Sequence, residues 1–247
     1  DGLRLLDWEK THGVRQYPYY ILLDEANLSP MEYYWADFMN VCDDWDGEHT
    51  LSLGHNHRFQ LPETLHFLAT INNDHTTETL SPRLIDRAWI VTLPHSDVVP
   101  EIQPGLSQGE IQLLSWSQLK SLFDVAHRES CQLTGVEQNV YDRIRARLAE
   151  QNIYLSMRIE LAIRRYWKVA SRLMEPEDHI RPGIIALDWA VAQKILPKLS
   201  GNGAEYEKWL IQFRDDCAGN RMVQSAALLD QILQWGNRRM KFFQFFH

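Results

Sequence analysis

A short apolar run that stops at two acids is the feature that most constrains the fold of this chain. Tyr19–Leu23 is apolar at every position, and Asp24 and Glu25 follow it directly. A helix-start signal, Ser29–Glu32, comes next, with a capping serine, a proline suited to the first turn and a glutamate that completes a capping box. A strand followed by a helix indicates an α/β unit. Because the run lacks polar alternation, we expect a parallel sheet covered on both faces.

The rest of the chain divides into an α/β part and a helical part. Leu65–Ile71 and Ala88–Leu93 also have the length of strands, and the alternating residues 48–62 predict a hairpin. From Gln108 onward helical spacing takes over, and prolines and glycines separate the segments. The predicted helices are 108–130, 136–150, 156–173, 183–196, 204–216 and 221–236. Residues 94–104 are the predicted linker between the two parts.

Composition excludes some classes of protein. The chain has 247 residues with 45% hydrophobic content, enough for one large domain or two small ones. A net charge of −8 argues against a nucleic-acid binder that uses its whole surface, but not against a local basic patch. The three cysteines are widely spaced and form no CxxC pair, and no apolar run has membrane-spanning length. These features predict a cytoplasmic protein with reduced cysteines.

The carboxylate pair has two interpretations. A strand that ends in Asp24 and Glu25 places both side chains at the carboxyl edge of a sheet, where open α/β sheets bind ligands. There one carboxylate can hold Mg²⁺ through water while the next orients an attacking water in nucleoside triphosphate hydrolysis. The alternative is a solvated acidic turn, which is the better interpretation of this short string taken alone.

Further motifs favour the first interpretation. In chain order, "ILLDEAN" resembles the Walker B motif of AAA+ ATPases, "ATIN" resembles sensor 1, and "LSPRLIDRA" resembles the segment that carries the arginine finger. The hairpin between the first two is similar to the insert of the McrB-like and dynein-related branch. "YLSMRIELAI" resembles, more weakly, the sensor 2 start of a lid helix, and "ALDWAVAQKILPKLSG" resembles the end of such a lid. The resemblance implies a partial AAA+ core over residues 1–100 and a helical lid over residues 101–247.

The resemblance also implies roles for residues near the sheet edge. Asp24 would position Mg²⁺, and Glu25 would act as the general base or orient the attacking water. Asn72 would be sensor 1, an uncharged group between the γ-phosphate and the water. For Asn72 a turn residue at a strand end is the alternative.

Three arginines complete the implied set. Arg87 would be the arginine finger that reaches the neighbouring subunit's site, with Arg83 as the second candidate. Arg158, just after a predicted helix cap at Ser156, would be sensor 2 and contact the nucleotide. The alternatives are an ion pair between Arg87 and Asp86 and a solvated helical position for Arg158.

One AAA+ motif does not occur. A phosphate loop requires GxxxxGK[ST] before the Walker B strand, because its amides and lysine hold the phosphates, and no such string occurs in the chain. The chain also begins at Asp1 without Met. We therefore expect that the loop lies upstream and that this stretch alone is inactive; a degenerate protein is the alternative.

Two clusters of side chains allow further hypotheses. Histidines near the hairpin could bind a metal, although a solvated hairpin is the preferred interpretation. These are His49, His55, His57 and His66. Helical arginines could face nucleic acid or another subunit, although a solvated face is slightly preferred. These are Arg143, Arg145, Arg147, Arg164 and Arg165.

The leading hypothesis is an ATP- and Mg²⁺-dependent AAA+ subunit of a homo-oligomeric ring that remodels protein or nucleic acid. The McrB-like features suggest restriction or defence with a nuclease or other protein partner, and GTP is the alternative nucleotide. A DExx-box helicase is a much weaker hypothesis. Helicases of that class have a second α/β lobe, whereas the corresponding part of this sequence predicts helices. A non-catalytic AAA+-like scaffold is the third hypothesis.

Overall fold

A computed structural model describes residues 17–43, 50–53, 57–73, 77–93, 114–123 and 131–246. The strands are β1 (Tyr19–Leu23), β2 (Thr50–Leu53), β3 (His57–Gln60), β4 (Leu65–Ala69), β5 (Ser200–Asn202) and β6 (Phe242–Gln244). The helices are α1 (Met31–Asp43), α2 (Pro82–Arg87), α3 (Trp116–Phe123), α4 (Gly135–Ala149), α5 (Met157–Leu173), α6 (Pro182–Lys194), α7 (Gly203–Gly219) and α8 (Val223–Arg238). Short 3₁₀ turns span Ala26–Leu28 and Leu196–Lys198.

The predicted strand Tyr19–Leu23 is confirmed, and it pairs in parallel with β4 so that Tyr19 lies opposite Leu65 and Leu23 opposite Ala69. The expectation that both faces are covered is wrong for the described residues. Burial alternates along β1, and Leu22 is 61% exposed. One face packs on α1, because Trp35 lies edge-on to Phe67 with ring centroids 4.9 Å apart.

The predicted hairpin is confirmed by the antiparallel pairing of β2 with β3. Leu51 and Leu61 are buried, as the alternation predicted. His49 and His55 lie outside the described residues, as does the predicted linker, residues 94–104. The side chain of His57 is not described either, so the metal hypothesis for this cluster stays a prediction.

The strand predicted at Ala88–Leu93 does not form, because this segment bonds to a helix instead of a strand. The Ile90 N–H donates to the Gln193 carbonyl at 3.1 Å, and the Ala88 carbonyl accepts from Lys194 Nζ at 2.7 Å. Beyond these contacts the apolar side chain of Leu93 is 83% exposed. The start of the segment thus contacts α6, while Val91 and Leu93 are exposed.

Five predicted helices from residue 136 onward are confirmed within a few residues, as α4 to α8. Of the helix predicted at 108–130, the described part is α3, Trp116–Phe123. Ser156 caps α5, since its hydroxyl accepts from the Ile159 N–H at 3.3 Å, as expected.

The helical part has its own core, and a buried carboxylate contributes to its order. Asp188 on α6 is 3% exposed and accepts from the N–H groups of Gln224 and Ser225, both at 2.8 Å. These amides begin α8 and would otherwise lack partners. Burial raises the pKa of Asp188 above its ordinary value, against the hydrogen bonds from Ser225 and Gln224, which lower it. Asp188 thus joins α6 to the start of α8.

The apolar C-terminal segment packs on the chain. Phe243 is fully buried, and β6 pairs antiparallel with β5, a pairing that sequence patterns did not suggest. Gly236 on α8 lies against the Phe243 ring, so a Cβ at this position would collide with the ring. No helix in the described parts of the chain is long and apolar enough to cross a membrane. Cys131 and Cys217 are free cysteines.

The contact between Gly236 and Phe243 predicts an unusual cost for a small substitution. We expect Gly236→Ala to lower the free energy of unfolding by about 1–3 kcal/mol, because the added methyl group overpacks the site. The control is Gly219→Ala, where a Cβ would meet nothing within 4 Å. That change should be neutral or stabilising by up to about 1 kcal/mol. Urea unfolding of both variants tests this, and equal effects would contradict the packing.

Candidate functional site

The two carboxylates lie at the shared edge of the parallel strands. Asp24 and Glu25 follow β1, and Thr70 follows β4 in the neighbouring position. The Thr70 hydroxyl donates to Asp24 Oδ1 at 2.5 Å and accepts from the Glu25 N–H at 2.8 Å. The Ala26 N–H donates to the Thr70 carbonyl at 2.8 Å. Thr70 therefore holds the backbone and one side chain of the acidic turn.

Glu25 has a left-handed backbone, with φ 49° and ψ 45°, which is costly for a residue other than glycine. The bonds that Thr70 makes on both sides of Glu25 fix this conformation. The side chain of Glu25 accepts from Asn72 Nδ2 at 3.3 Å, and both residues are exposed. Since strained backbone tends to be retained at functional sites, the turn supports a role for Glu25 beyond a solvated loop.

Asn27 organises this edge, although sequence reasoning gave it no role. Its side chain is nearly inaccessible, at 4% exposure. Nδ2 donates to the Asn72 carbonyl at 2.7 Å and to the Glu78 carbonyl at 3.2 Å, while Oδ1 accepts from the Asn72 N–H at 3.1 Å. These bonds hold the backbone of Asn72 beside the turn. The signal is the burial of a polar side chain. A buried polar group costs free energy unless it forms hydrogen bonds, so Asn27 is expected to have partners.

The donor chemistry of the edge fits Mg²⁺. This ion prefers oxygen ligands and commonly takes one or two carboxylates together with water and phosphate oxygens. Asp24 and Glu25 supply such oxygens. Among the residues that the structure describes, no group of three or more His, Cys, Asp or Glu side chains could hold a metal. The Mg²⁺ role of Asp24 stays a prediction.

The structure places the predicted arginines elsewhere. Arg87 ends α2 and donates to the Arg83 carbonyl at 2.9 Å, and the side chain of Arg83 is exposed. Arg87 and Arg158 line one cavity of about 600 Å³, which none of the sheet-edge residues lines. The structure thus brings the two carboxylates and Asn72 together, and it groups the two arginines at a second place.

Asp86, the acid considered for an ion pair with Arg87, has partners in the helical part. Asp86 pairs with Lys198 at 2.8 Å and accepts from the Ser156 hydroxyl at 3.3 Å. Burial raises the pKa of Asp86, but these two bonds and the charges of Lys198 and Arg158 hold it below its ordinary value.

Lys194 is the second residue that sequence reasoning missed. It is 2% exposed, and its Nζ donates to the carbonyls of Asp86 at 2.9 Å and Ala88 at 2.7 Å. Nζ also lies 5.5 Å from the Trp89 ring centroid. Burial lowers the pKa of Lys194 to about 8, against the raising influence of Asp86. A lysine at the end of a largely apolar helix was the signal for such a contact.

The predicted arginine strip is largely engaged within the chain. Arg147 pairs with Asp216 at 2.8 Å and Arg145 with Glu160 at 3.1 Å. Arg164 lies over the Tyr141 ring. These three arginines contact other helices, whereas a solvated face was the preferred interpretation; a nucleic-acid or subunit contact of the strip stays a prediction.

Comparison with known proteins gives one match. The family described as Domain of unknown function (DUF8727) matches residues 110–242, which is more than half of the chain. No curated protein and no solved structure matches.

The role of Asn27 predicts a stability effect larger than its size suggests. Asn27→Ala removes three partly buried hydrogen bonds to the backbone of Asn72 and Glu78, so the free energy of unfolding should fall by about 1–3 kcal/mol. The control is Asn237→Ala at an exposed position, which should change it by less than about 0.5 kcal/mol. Urea unfolding measures both, and a neutral Asn27→Ala would contradict the organising role.

The environment of Asp86 predicts a pH dependence. The pKa of Asp86 is lower in the folded than in the unfolded chain. Its contribution to the free energy of unfolding is therefore complete above about pH 4, the pKa in the unfolded chain. The contribution is lost as the pH falls through the lowered pKa. We expect Asp86→Asn to cost about 1 kcal/mol at pH 7 and progressively less in acid. Urea unfolding over that pH range tests this, and a difference independent of pH would refute it.

Proposed function

The chain belongs to the family described as a domain of unknown function (DUF8727), and we propose from its own residues that it carries part of a nucleoside triphosphate hydrolysis site of the AAA+ type. The part consists of Asp24, Glu25 and Asn72. One observation carries the proposal: Glu25 Oε1 lies 3.3 Å from Asn72 Nδ2 at the carboxyl edge of two parallel strands. The three motifs in AAA+ order support it.

Each residue has a defined task in the proposed site. Asp24 would hold Mg²⁺ through water, and the Thr70 hydroxyl fixes its carboxylate. Glu25 orients the attacking water and accepts its proton, and the left-handed turn holds its backbone in place. Asn72 offers an uncharged donor and acceptor beside that water. In phosphoryl transfer the protein performs little covalent chemistry, so the positioning of such groups accounts for much of the catalysis.

Hydrolysis also requires groups that hold the phosphates. The 247 residues contain no GxxxxGK[ST] string, so the proposal of turnover concerns a protein or complex that supplies such a loop. ATP is the proposed nucleotide and GTP the alternative. The same absence favours a second candidate function, a scaffold that keeps the AAA+ arrangement without catalysis.

We further propose a homo-oligomeric ring that remodels protein or nucleic acid, with a nuclease or other effector as a McrB-like partner. Arg87 lies away from the carboxylates of its own chain, a location compatible with action on a neighbouring subunit. Arg158 would contact nucleotide as sensor 2 after a movement of α5, and Arg83 is the second finger candidate.

The test of the site uses a protein or complex that contains these residues and a phosphate loop. Glu25→Gln should retain Mg²⁺-nucleotide binding, because Asp24 remains, while turnover falls by about 10²–10⁴-fold, the usual contribution of a general base. Calorimetry measures binding and phosphate release measures turnover. Glu32→Gln on α1 is the matched control and should hydrolyse normally. Wild-type turnover in Glu25→Gln would refute the assignment, and absence of nucleotide binding in the wild type would favour the scaffold.

The test of the ring concerns Arg87. Arg87→Ala should leave nucleotide binding nearly intact and lower turnover by roughly 10³–10⁵-fold, the usual contribution of an arginine finger. Mixing Arg87→Ala subunits with Glu25→Gln subunits should restore part of the activity, because a mixed interface joins an intact Glu25 to an intact Arg87. If mixed rings form and stay inactive at every ratio, Arg87 is not the trans finger, and Arg83 is tested next.

A further inference from the structure

The turn that joins α8 to β6 presents two apolar side chains to solvent. Met240 and Lys241 both have left-handed backbones, with φ 51° and 65°. The Phe242 N–H donates to the Arg239 carbonyl at 3.0 Å and closes the turn. Met240 is fully exposed, and Phe242 is 42% exposed. A thioether and an aromatic ring therefore stand on the outside of a tight, hydrogen-bonded turn.

Two arginines precede this turn, and one aromatic ring supports both of them. The guanidinium carbons of Arg238 and Arg239 lie 5.9 and 6.0 Å from the centroid of the Trp235 ring. Within the described ranges of the chain, neither arginine forms an ion pair with an acid. The ring contact orders the two guanidinium groups but does not neutralise their charge.

The other charges beside the turn are already paired. Lys241 pairs with Glu207 of α7 at 2.7 Å. Asp230 is the one acid of α8, and it pairs with Arg214 at 2.7 Å. Residues 231–246 contain no Asp or Glu. The remaining positive charge is that of the two arginines, on a chain whose net charge is −8, so an anion is the partner that this surface complements.

The face of α8 that leads to the turn is polar without further charge. Gln231, Gln234 and Arg238 are exposed and lie three or four residues apart, so they share one side of the helix. Their amides can donate and accept hydrogen bonds. A helix that lies in a bilayer surface presents a broad apolar face, which this side of α8 lacks. The anion is therefore a polymer with hydrogen-bonding groups rather than a lipid surface.

We propose that this surface, made of Arg238, Arg239, Met240, Phe242 and the exposed amides of α8, binds single-stranded nucleic acid. The two arginines bind phosphates, and the Phe242 ring stacks on a base, a contact that every base can make. A duplex offers the same phosphates but keeps the faces of its bases inside the stack. The binding does not rest on the proposed hydrolysis, and it selects nucleic acid from the two substrate classes proposed for the ring.

Fluorescence polarisation of labelled oligothymidine tests the choice of partner on the 247-residue chain, without nucleotide. We expect the single strand to bind more tightly than its duplex with oligoadenine, at roughly 50 mM salt, where phosphate contacts are strong. Phosphatidylserine vesicles and polyglutamate offer a lipid surface and an acidic polypeptide. Equal or tighter binding of the duplex, of the vesicles or of polyglutamate would overturn the proposal.

Two variants separate charge from stacking. Arg238→Gln should weaken binding several-fold and make the slope of log affinity against log salt shallower by about 0.7, the contribution of one phosphate contact to a single strand. Phe242→Ala should weaken binding by roughly fivefold or more and leave that slope unchanged, because only a stacked base is lost. Phe242→Tyr should restore most of the affinity, since it keeps the ring.

Arg143→Gln is the matched control, because it makes the same change at an exposed position of α4. It should leave the affinity nearly unchanged, and a loss in this variant alone would place the nucleic acid on the arginine strip. Cooperative urea unfolding shows that each variant folds, and Phe242→Leu serves if Phe242→Ala does not. Wild-type affinity in both Arg238→Gln and the folded Phe242 variant would overturn the proposal. Absence of oligothymidine binding would also overturn it, and would leave the Glu25 test of hydrolysis unaffected.

Discussion

The buried ammonium group of Lys194 joins the two parts of this structure. Removing a charge from water costs several kcal/mol unless hydrogen bonds compensate. Here Nζ donates to the carbonyls of Asp86 and Ala88, at the end of α2, where a helix leaves carbonyls without partners. The Trp89 ring provides a further favourable contact for the cation. These bonds hold the start of the segment after α2 on α6, and residues 89–93 form no strand.

Helix α2 consequently belongs to both parts. Leu84 packs into the small core formed with Met31 and Trp35 beneath the sheet. Two residues later, Asp86 pairs with Lys198 in the helical part. The apolar side of α2 thus packs on the small core beside the acidic turn, while Asp86 and Arg87 at its C-terminal end line the cavity of about 600 Å³.

The sheet edge depends on polar contacts that no single motif contains. Thr70 and Asn27 come from segments separated by more than forty positions, yet both bond to the acidic turn or to its neighbour Asn72. Glu25 can keep a left-handed backbone only because these partners fix the chain around it. The strand–acid pattern predicted the location of the pair. The geometry that orients Glu25 toward Asn72 arises from the pairing of β1 with β4.

The sequence alone determined the local elements, because their signals are local. Periodicity and caps such as Ser156 predicted helices from residue 136 onward, and apolar runs with alternating residues predicted β1 and the hairpin. Tertiary structure decided the conformation of Ala88–Leu93. An apolar run can pack on a strand or on a helix, and here the contact with Lys194 places its start on a helix. It also decided the roles of Asn27 and Lys194. The contribution of a buried polar group to stability depends on which carbonyls and amides surround it. These groups come from distant parts of the chain, so only the folded structure specifies them.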